Sequence, residues 1–292
     1  MITPKEQLNK LKDKLIDPLA LDLANSVKWQ YLESLSENKT DLYPIAVLGD
    51  GPPLLMLHGF DSCFLEFRRI TPLLKNKYKL IIPDLFGFGF CPRPQESSYE
   101  YKKIIKHLTL IINLYANNSR LGVIGASMGG SIAMELGRTS PKINRMLLLS
   151  PAGINSRPKK VPWPLNHLGT YFLKQPFVRK SLCRQAFANP KTSVGKAEEQ
   201  IASLHLNVQG WQRTLAAFAR NGGVSQYGKS LPPQPIEVLW GEKDRIIKHT
   251  ERKESMKIIG KELNELENCG HLPHLDNPEF VSNYWQKINE TK

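Results

Sequence analysis

Short apolar runs alternate with turn residues and helix-compatible stretches between about residues 41 and 151, and again from about residue 226 onwards. This pattern is typical of a mostly parallel β-sheet between helices, because strands buried on both faces are apolar along their whole length. The predicted strands are residues 54–57, 80–82, 121–124, 146–149, 236–240 and, more weakly, 263–266. The sequence therefore predicts an α/β fold. Functional groups in such a sheet are expected just past the carboxyl ends of the strands.

The first forty residues carry a different pattern. Leu8, Leu11 and Leu15 fall on one face of a helix, while lysines lie mostly elsewhere. We predict that residues 1–40 form a helical extension that packs on the main body. The alternative is that this basic amphipathic helix lies on a membrane surface.

The strand pattern stops between residues 152 and 225, where helical stretches such as residues 211–220 replace it. It resumes after the proline-rich turn at 231–235, which favours a rigid, non-helical entry into the next strand. We predict a helical lid insertion at residues 152–225 within a core made of residues 41–151 and 226–292.

A motif of small residues surrounds Ser127. Residues 125–130 read Gly-Ala-Ser-Met-Gly-Gly and join an apolar run to a helix-compatible stretch. Small residues two positions before and after a serine allow the tight strand-to-helix turn called a nucleophile elbow, which exposes the hydroxyl. The pattern predicts that Ser127 is a catalytic nucleophile.

A serine hydroxyl needs a neighbouring base, and a histidine loop follows the last predicted strand. We predict His271 as the base, because the preceding glycine permits an irregular loop. His274 is the alternative, although we expect His274 and Asp276 to fix the loop or cap a helix.

A carboxylate must orient the base, and the strand at 236–240 leads directly to one. Asp244 follows that strand within Gly-Glu-Lys-Asp and gives the chain order Ser, Asp, His. Glu242 competes with it two residues earlier. We predict Asp244 as the third member of the triad.

Backbone amides are expected to form the oxyanion hole. One belongs to Met128, which follows the nucleophile, and the other to Phe60 in the loop after the first predicted strand. His58 lies in that loop, where a structural hydrogen bond is the simpler role.

Composition fits a folded protein, with 41% hydrophobic and 23% charged residues among 292. No secretory signal is visible, and no stretch of about 18 apolar residues occurs. We predict a cytoplasmic protein with possible peripheral contact with a membrane. The four cysteines show no Cys-x-x-Cys pair, so free thiols are expected.

The net charge of +13 is concentrated in the predicted lid, which holds eleven Lys or Arg and two Asp or Glu, a net +9. Large aromatic residues lie in the same segment, among them Trp163, Tyr171, Phe172, Phe177, Trp211 and Phe218. This mixture suits an amphiphilic substrate with an anionic part, or an anionic bilayer reached through the lid or the N-terminal helix. The alternative is that the aromatics fill the lid's own core and the lysines keep it soluble. No nucleic-acid-binding module is visible, so no nucleic-acid partner is predicted, and oligomeric state stays open.

These motifs together resemble the α/β-hydrolase family from about residue 45 to 290. They are the elbow, His58-Gly59-Phe60, residues 83–89, residues 241–244 and residues 270–274. The resemblance implies an eight-stranded, mostly parallel sheet, a lid after the sixth strand, and no metal or organic cofactor. Serine at the elbow argues against the haloalkane dehalogenase and epoxide hydrolase branches. Resemblance to carbon–carbon bond hydrolases is partial.

The combined prediction is a serine hydrolase that cleaves an ester-like bond of a small or acyl-chain substrate through an acyl-enzyme. Thioesters, lactones and activated carbon–carbon bonds react through the same kind of intermediate and stay open as substrates. The alternative from another class is a ligand-binding receptor or scaffold that keeps the hydrolase pocket.

Overall fold

One eight-stranded sheet organises residues 2–95, 97–116 and 119–290, which are the residues described by this computed structural model. The strands follow the spatial order β1-β2-β4-β3-β5-β6-β7-β8. They are β1 (Val27–Tyr31), β2 (Leu42–Leu48), β3 (Pro53–Leu57), β4 (Lys79–Pro83), β5 (Leu121–Ala126), β6 (Ile143–Leu149), β7 (Ile236–Gly241) and β8 (Glu265–Leu266). All pairs from β4 to β8 are parallel, while β2 runs antiparallel to both of its neighbours. The predicted α/β class with a mostly parallel sheet is confirmed.

Helices cover both faces of this sheet. They are α1 (Pro4–Lys12), α2 (Pro18–Asn25), α3 (Thr71–Leu74), α4 (Tyr101–Tyr115), α5 (Met128–Thr139), α6 (Leu165–Leu173), α7 (Pro176–Ala186), α8 (Pro190–Ser193), α9 (Lys196–Ile201), α10 (Trp211–Arg220), α11 (His249–Ile259), α12 (Pro273–Asp276) and α13 (Pro278–Glu290). The helices of the described residues are all too short or too polar to cross a bilayer.

Side chains of the central strands alternate between two apolar layers. In β3, Leu55 and Leu57 join the layer under α4, α5 and α11, whereas Leu54 and Met56 join the layer under α1, α2 and α13. All five residues of β3 are buried, which explains why this strand reads as an unbroken apolar run.

The first forty residues are not helical throughout, which corrects the sequence prediction. Val27–Tyr31 forms the edge strand β1 and pairs antiparallel with β2. Its sequence, Val-Lys-Trp-Gln-Tyr, alternates apolar and polar residues as an edge strand should. The edge of the sheet thus begins inside the segment that was assigned to an extension. Met1, Thr291 and Lys292, the ends of the predicted segments, lie outside the described residues.

Helix α1 begins at a capping box in which the Thr3 hydroxyl accepts the Glu6 N–H, and the Glu6 carboxylate accepts the Thr3 N–H. Leu8 is fully buried, and Leu11 and Leu15 pack against the same apolar layer. The apolar face of this helix is therefore occupied by the protein's own core, as the simpler of the two interpretations expected.

Helices α6–α10 form the segment between β6 and β7, and buried charges join this segment to the body. Arg68 is 2% exposed and donates to Asp17 at 2.6 Å and to Glu198 at 3.1 Å. Glu198 also accepts from Arg69 at 2.7 Å. One carboxylate on α9 thus ties the segment to the loop after β3 and, through Arg68, to the start of α2.

Candidate active site

Ser127 lies on a sharp turn between β5 and α5. Its backbone has φ 51° and ψ −114°, a conformation that non-glycine residues rarely adopt. The Ser127 N–H donates to the Leu149 carbonyl at 2.8 Å, which fixes the turn to the end of β6. The side chain is half-buried, so its hydroxyl is accessible.

The glycines around Ser127 are required by close backbone approach. A Cβ at Gly125 would overlap the backbone of Gly129, and a Cβ at Gly129 would overlap the carbonyl of Leu57 in β3. The small residues of the motif therefore let α5 begin directly against the sheet.

His271 and Asp244 form a buried pair at the same edge of the sheet. Nδ1 of His271 lies 2.8 Å from Oδ2 of Asp244, and both residues are less than 10% exposed. With Nδ1–H donating to the carboxylate, Nε2 of the neutral ring is an acceptor. Burial opposes ionisation of Asp244, but His271 and the N–H groups of Ile246 and Ile247 outweigh it and hold the pKa of this carboxyl below its ordinary value.

Neighbouring groups fix the loop that carries His271. Its N–H donates to the carbonyl of Ala186 at the end of α7, at 2.8 Å. Asp276 accepts the N–H groups of Gly270 at 2.7 Å and Ala188 at 2.9 Å. The base loop is therefore held partly by the segment between β6 and β7.

Ser127 and His271 line one cavity of about 270 Å³ together with Phe60. A second cavity of about 290 Å³ is lined by Phe60, Met128 and Phe218. Phe60 borders both, and its ring stacks on that of Phe218 with centroids 6.0 Å apart. The structure thus brings together the sequence-predicted residues from three separate loops. Glu242 is exposed, in contrast to buried Asp244.

His58 shapes the loop that carries Phe60. Its Nδ1 lies 2.8 Å from the Gly59 carbonyl, and its Nε2 accepts the N–H of Leu85 at 3.0 Å. Burial lowers the pKa of His58 to about 4, so the ring is neutral at pH 7. These contacts give His58 the structural hydrogen bonds expected from its place after a strand.

Glu66 connects this loop to His274. Its carboxylate accepts the Gly59 N–H at 3.3 Å and lies 3.4 Å from Nε2 of His274, whose ring stacks on Phe67. His274 is fully buried. His274 therefore supports the loop that carries the proposed oxyanion donor.

Asp61 is a residue of the site that the sequence reasoning missed. Its carboxylate accepts from Arg179 at 2.6 Å and Trp211 at 2.7 Å, and lies 3.0 Å from Nε2 of His205. Burial opposes ionisation of Asp61, yet the hydrogen bond and charge of His205, together with Arg179 and the Trp211 N–H, hold the pKa of Asp61 below its ordinary range. Asp61 also has φ 50°, a conformation that points to a constrained position in the loop.

Within residues 2–95, 97–116 and 119–290, no three His, Cys, Asp or Glu side chains are grouped so that they could hold a metal ion.

Comparison with known proteins gives consistent matches over most of the chain. The model of the alpha/beta hydrolase family matches residues 54–283. The chain is 27% identical to the alpha/beta hydrolase domain-containing protein VTE7 of Arabidopsis thaliana, over 82% of this chain and 74% of that protein. It is 28% identical to Lipase 1 of Psychrobacter immobilis, over 80% of this chain and 76% of that protein. The crystal structure of a membrane phospholipase A, a bacterial virulence factor, superposes with a TM-score of 0.73 at 20% identity, over 98% of this chain and 91% of that one.

Proposed function

The chain belongs to the alpha/beta hydrolase family, and from this premise we propose that it is a serine hydrolase that cleaves esters of acyl-chain acids. The observation that carries the proposal is the 2.8 Å contact of Asp244 with His271, beside a cavity that His271 shares with Ser127 on a strained turn. Similarity to Lipase 1 of Psychrobacter immobilis supports an ester or lipid substrate.

In the proposed acylation step, Oγ of Ser127 attacks the ester carbonyl while Nε2 of His271 takes the hydroxyl proton. Asp244 holds the tautomer in which Nε2 is the acceptor, and it stabilises the imidazolium that forms. The tetrahedral intermediate then expels the alcohol, which receives the proton from His271. In deacylation, water attacks the acyl-enzyme by the same route and releases the acid.

The negative oxygen of each tetrahedral intermediate requires preorganised donors. We assign the backbone N–H groups of Phe60 and Met128 to this role, because both residues line the second cavity, Phe60 also lines the cavity beside Ser127, and Met128 directly follows Ser127. Loss of one such donor typically costs about a hundredfold to a thousandfold in rate.

Much of the cavity beside Ser127 is apolar. Leu173, Leu182, Ala186, Ile246 and Leu272 line it. Its buried cation, Arg179, is already paired with Asp61 at 2.6 Å. An apolar acyl chain therefore fits this cavity better than a substrate whose anionic group must lie deep within it.

In the same proposal, residues 152–225 form a cap over the core. The core comprises residues 41–151 and 226–292, and residues 1–40 add its edge strand. Helix α7 of the cap holds both Asp61, through Arg179, and the His271 loop, through the Ala186 carbonyl. Because of these attachments, the cap is expected to complete the site as well as cover it.

Fluorophosphonate labelling followed by an ester panel of graded acyl length tests the proposal. We expect the wild type to label and to hydrolyse the panel, with a preference set by acyl length, whereas Ser127→Ala does neither. Ser230→Ala is the matched control and should behave as wild type. Ser230 is exposed, and Arg138 donates to its backbone carbonyl, which the substitution keeps. A wild type that does not label would contradict the proposal and favour the receptor alternative. A thioester, lactone or carbon–carbon substrate cleaved faster than any ester would correct the substrate class.

A further inference from the structure

Helix α6 has its polar and apolar faces reversed relative to an ordinary surface helix. Asn166 and Thr170 are 3% and 2% exposed, and Asn166 donates to the Ala216 carbonyl in α10. Leu165, Leu168 and Phe172, on the opposite side, are exposed. A helix that buries Asn166 and Thr170 and exposes Leu165 and Leu168 presents the exposed side to something other than water.

This exposed side continues beyond α6 at both ends. The ring of Phe172 packs edge-on against Phe177 in the first turn of α7, with centroids 6.0 Å apart. We define the apolar face by six side chains that are each between 55% and 73% exposed: Trp163, Leu165, Leu168, Tyr171, Phe172 and Phe177. By contrast, Trp211 and Phe218 of the same segment are 4% exposed. Phe187 is likewise buried, so the aromatic residues of the segment divide into three that are buried and four that face outwards.

The stretch of chain that carries the apolar face has charge of one sign. No Asp or Glu occurs between Glu135 and Glu198 in the sequence. Lys159 and Lys160 precede the face, Lys174 lies between Phe172 and Phe177, and all three are exposed. Apolar side chains inside a basic rim are complementary to the surface of an anionic bilayer, where rings enter the interface and lysines meet the head groups. A second copy of this chain would bring the same positive rim against the first.

The apolar face adjoins the cavity beside Ser127. Leu173 directly follows Phe172 in sequence and lines that cavity. Leu182 of α7 also lines the cavity, and it is 37% exposed. An acyl chain that leaves a bilayer at this face would contact apolar side chains between the face and the cavity.

We propose that the apolar face docks the protein on the surface of an anionic membrane and turns the cavity beside Ser127 towards the acyl chains there. The docking follows from exposure and charge alone, while the delivery of acyl chains rests on the proposed function. Amphiphilic esters that reside in a membrane are the substrate class that this arrangement serves.

Vesicle binding by Ser127→Ala, which leaves the lipid intact, tests the docking. Co-flotation would be measured with vesicles of equimolar phosphatidylglycerol and phosphatidylcholine, and with phosphatidylcholine alone, at low and high salt. We expect binding to the anionic vesicles to be at least about tenfold tighter than to the neutral ones, and to weaken as salt rises.

Two double substitutions with matched controls test whether binding depends on the apolar face itself or only on exposed rings and lysines in general. Phe172→Ser with Phe177→Ser, and Lys160→Glu with Lys174→Glu, should each weaken binding by about tenfold or more. The controls are Phe280→Ser, which is 41% exposed on α13, and Lys253→Glu with Lys257→Glu, which are exposed on α11. We expect both controls to bind as the parent does. When the same substitutions are made in the protein that keeps Ser127, all variants should hydrolyse a short water-soluble ester at the wild-type rate.

Failure of the docking and failure of the proposed function are distinguishable. Equal binding of face and control variants, or no binding to anionic vesicles, would overturn the docking while fluorophosphonate labelling stood. Vesicle binding without labelling would overturn the serine hydrolase proposal while the docking stood. A concentration-dependent dimer that Phe172→Ser with Phe177→Ser abolishes, without vesicle binding, would assign the face to self-association instead.

Discussion

At the scale of single residues, the chemistry of the site depends on which carboxylate holds His271. Asp244 is buried and receives two backbone N–H bonds besides that of the ring, whereas Glu242 is exposed. A carboxylate fixed from three directions keeps the imidazole in one orientation and one tautomer.

Replacing Asp244 by asparagine tests this assignment. The amide of Asp244→Asn cannot stabilise an imidazolium and favours the wrong tautomer, so we expect kcat on an ester to fall by on the order of a thousandfold or more. Circular dichroism should show an intact fold. The matched control, Glu242→Gln, should keep wild-type kcat. Equal losses in the two variants would reject Asp244 as the orienting carboxylate.

Individual residues differed in how far the sequence could identify them. Ser127, Asp244 and His271 each follow a predicted strand, so local patterns alone pointed to the same edge of the sheet. Asp61 also follows a predicted strand, but its role depends on its partners Arg179, His205 and Trp211, which lie 118, 144 and 150 positions away. Only the fold of the segment between β6 and β7 brings these side chains to one carboxylate.

At the scale of elements, the elbow depends on the contact between α5 and β3. In Gly129→Ala the added methyl group would overlap the Leu57 carbonyl, which is backbone and cannot move aside without shifting the strand. We expect the free energy of unfolding to fall by about 2–4 kcal/mol and fluorophosphonate labelling to slow, measured by chemical denaturation and by labelling rate. Gly169→Ala in α6, where nothing lies within 4 Å of the new methyl group, is the control and should be neutral or stabilising. Wild-type stability of Gly129→Ala would contradict the close approach.

The attachment of α7 and α10 to the core is a second property of elements. Asp61→Asn removes the charge that Arg179 pairs with and leaves that guanidinium buried, so the free energy of unfolding should fall by about 3 kcal/mol. Because Asp61 directly follows Phe60, kcat should also fall, roughly tenfold. Hydrogen exchange would locate the loss of protection in α7 and α10.

Asp22→Asn, an exposed aspartate on α2, is the control for that change. Unchanged exchange in α7 and α10 of Asp61→Asn would mean that apolar packing, and not the carboxylate, holds the segment. Both variants keep the same side-chain volume, so the comparison isolates charge.

Elements were predictable where apolar periodicity was strong. Strands β3 to β7 are buried apolar runs and were identified, whereas β1 and β2 lie at the antiparallel edge, where β1 has only five alternating residues and Pro44 interrupts β2. In helix α6, tertiary packing buries Asn166 and Thr170 and leaves Leu165 and Leu168 exposed, an arrangement that apolar periodicity alone does not indicate.

At the scale of the whole molecule, stability should depend on pH through histidines buried without charge. His107 lies in the apolar layer under α4, in contact with the rings of Tyr43 and Phe86. Neither ring nitrogen has a hydrogen-bond partner among the described residues. Burial lowers the pKa of His107 to about 3, and burial likewise lowers the pKa of His58 to about 4.

The sign of the effect follows from proton uptake on unfolding. Below about pH 6.5 the unfolded chain binds a proton at position 107 that the folded protein does not, so stability must fall as pH decreases from 6.5 towards 3. Between pH 7.5 and 5 this one group should remove about 2 kcal/mol from the free energy of unfolding. His107→Leu fills a similar volume without a titratable group. Between pH 7.5 and 5, its free energy of unfolding should therefore fall by about 2 kcal/mol less than that of the wild type. His167→Leu, at an exposed position of α6, should keep the wild-type pH dependence. If chemical denaturation gives the same pH dependence for His107→Leu as for the wild type, the acid sensitivity originates elsewhere, with His58 as the next buried ring to substitute.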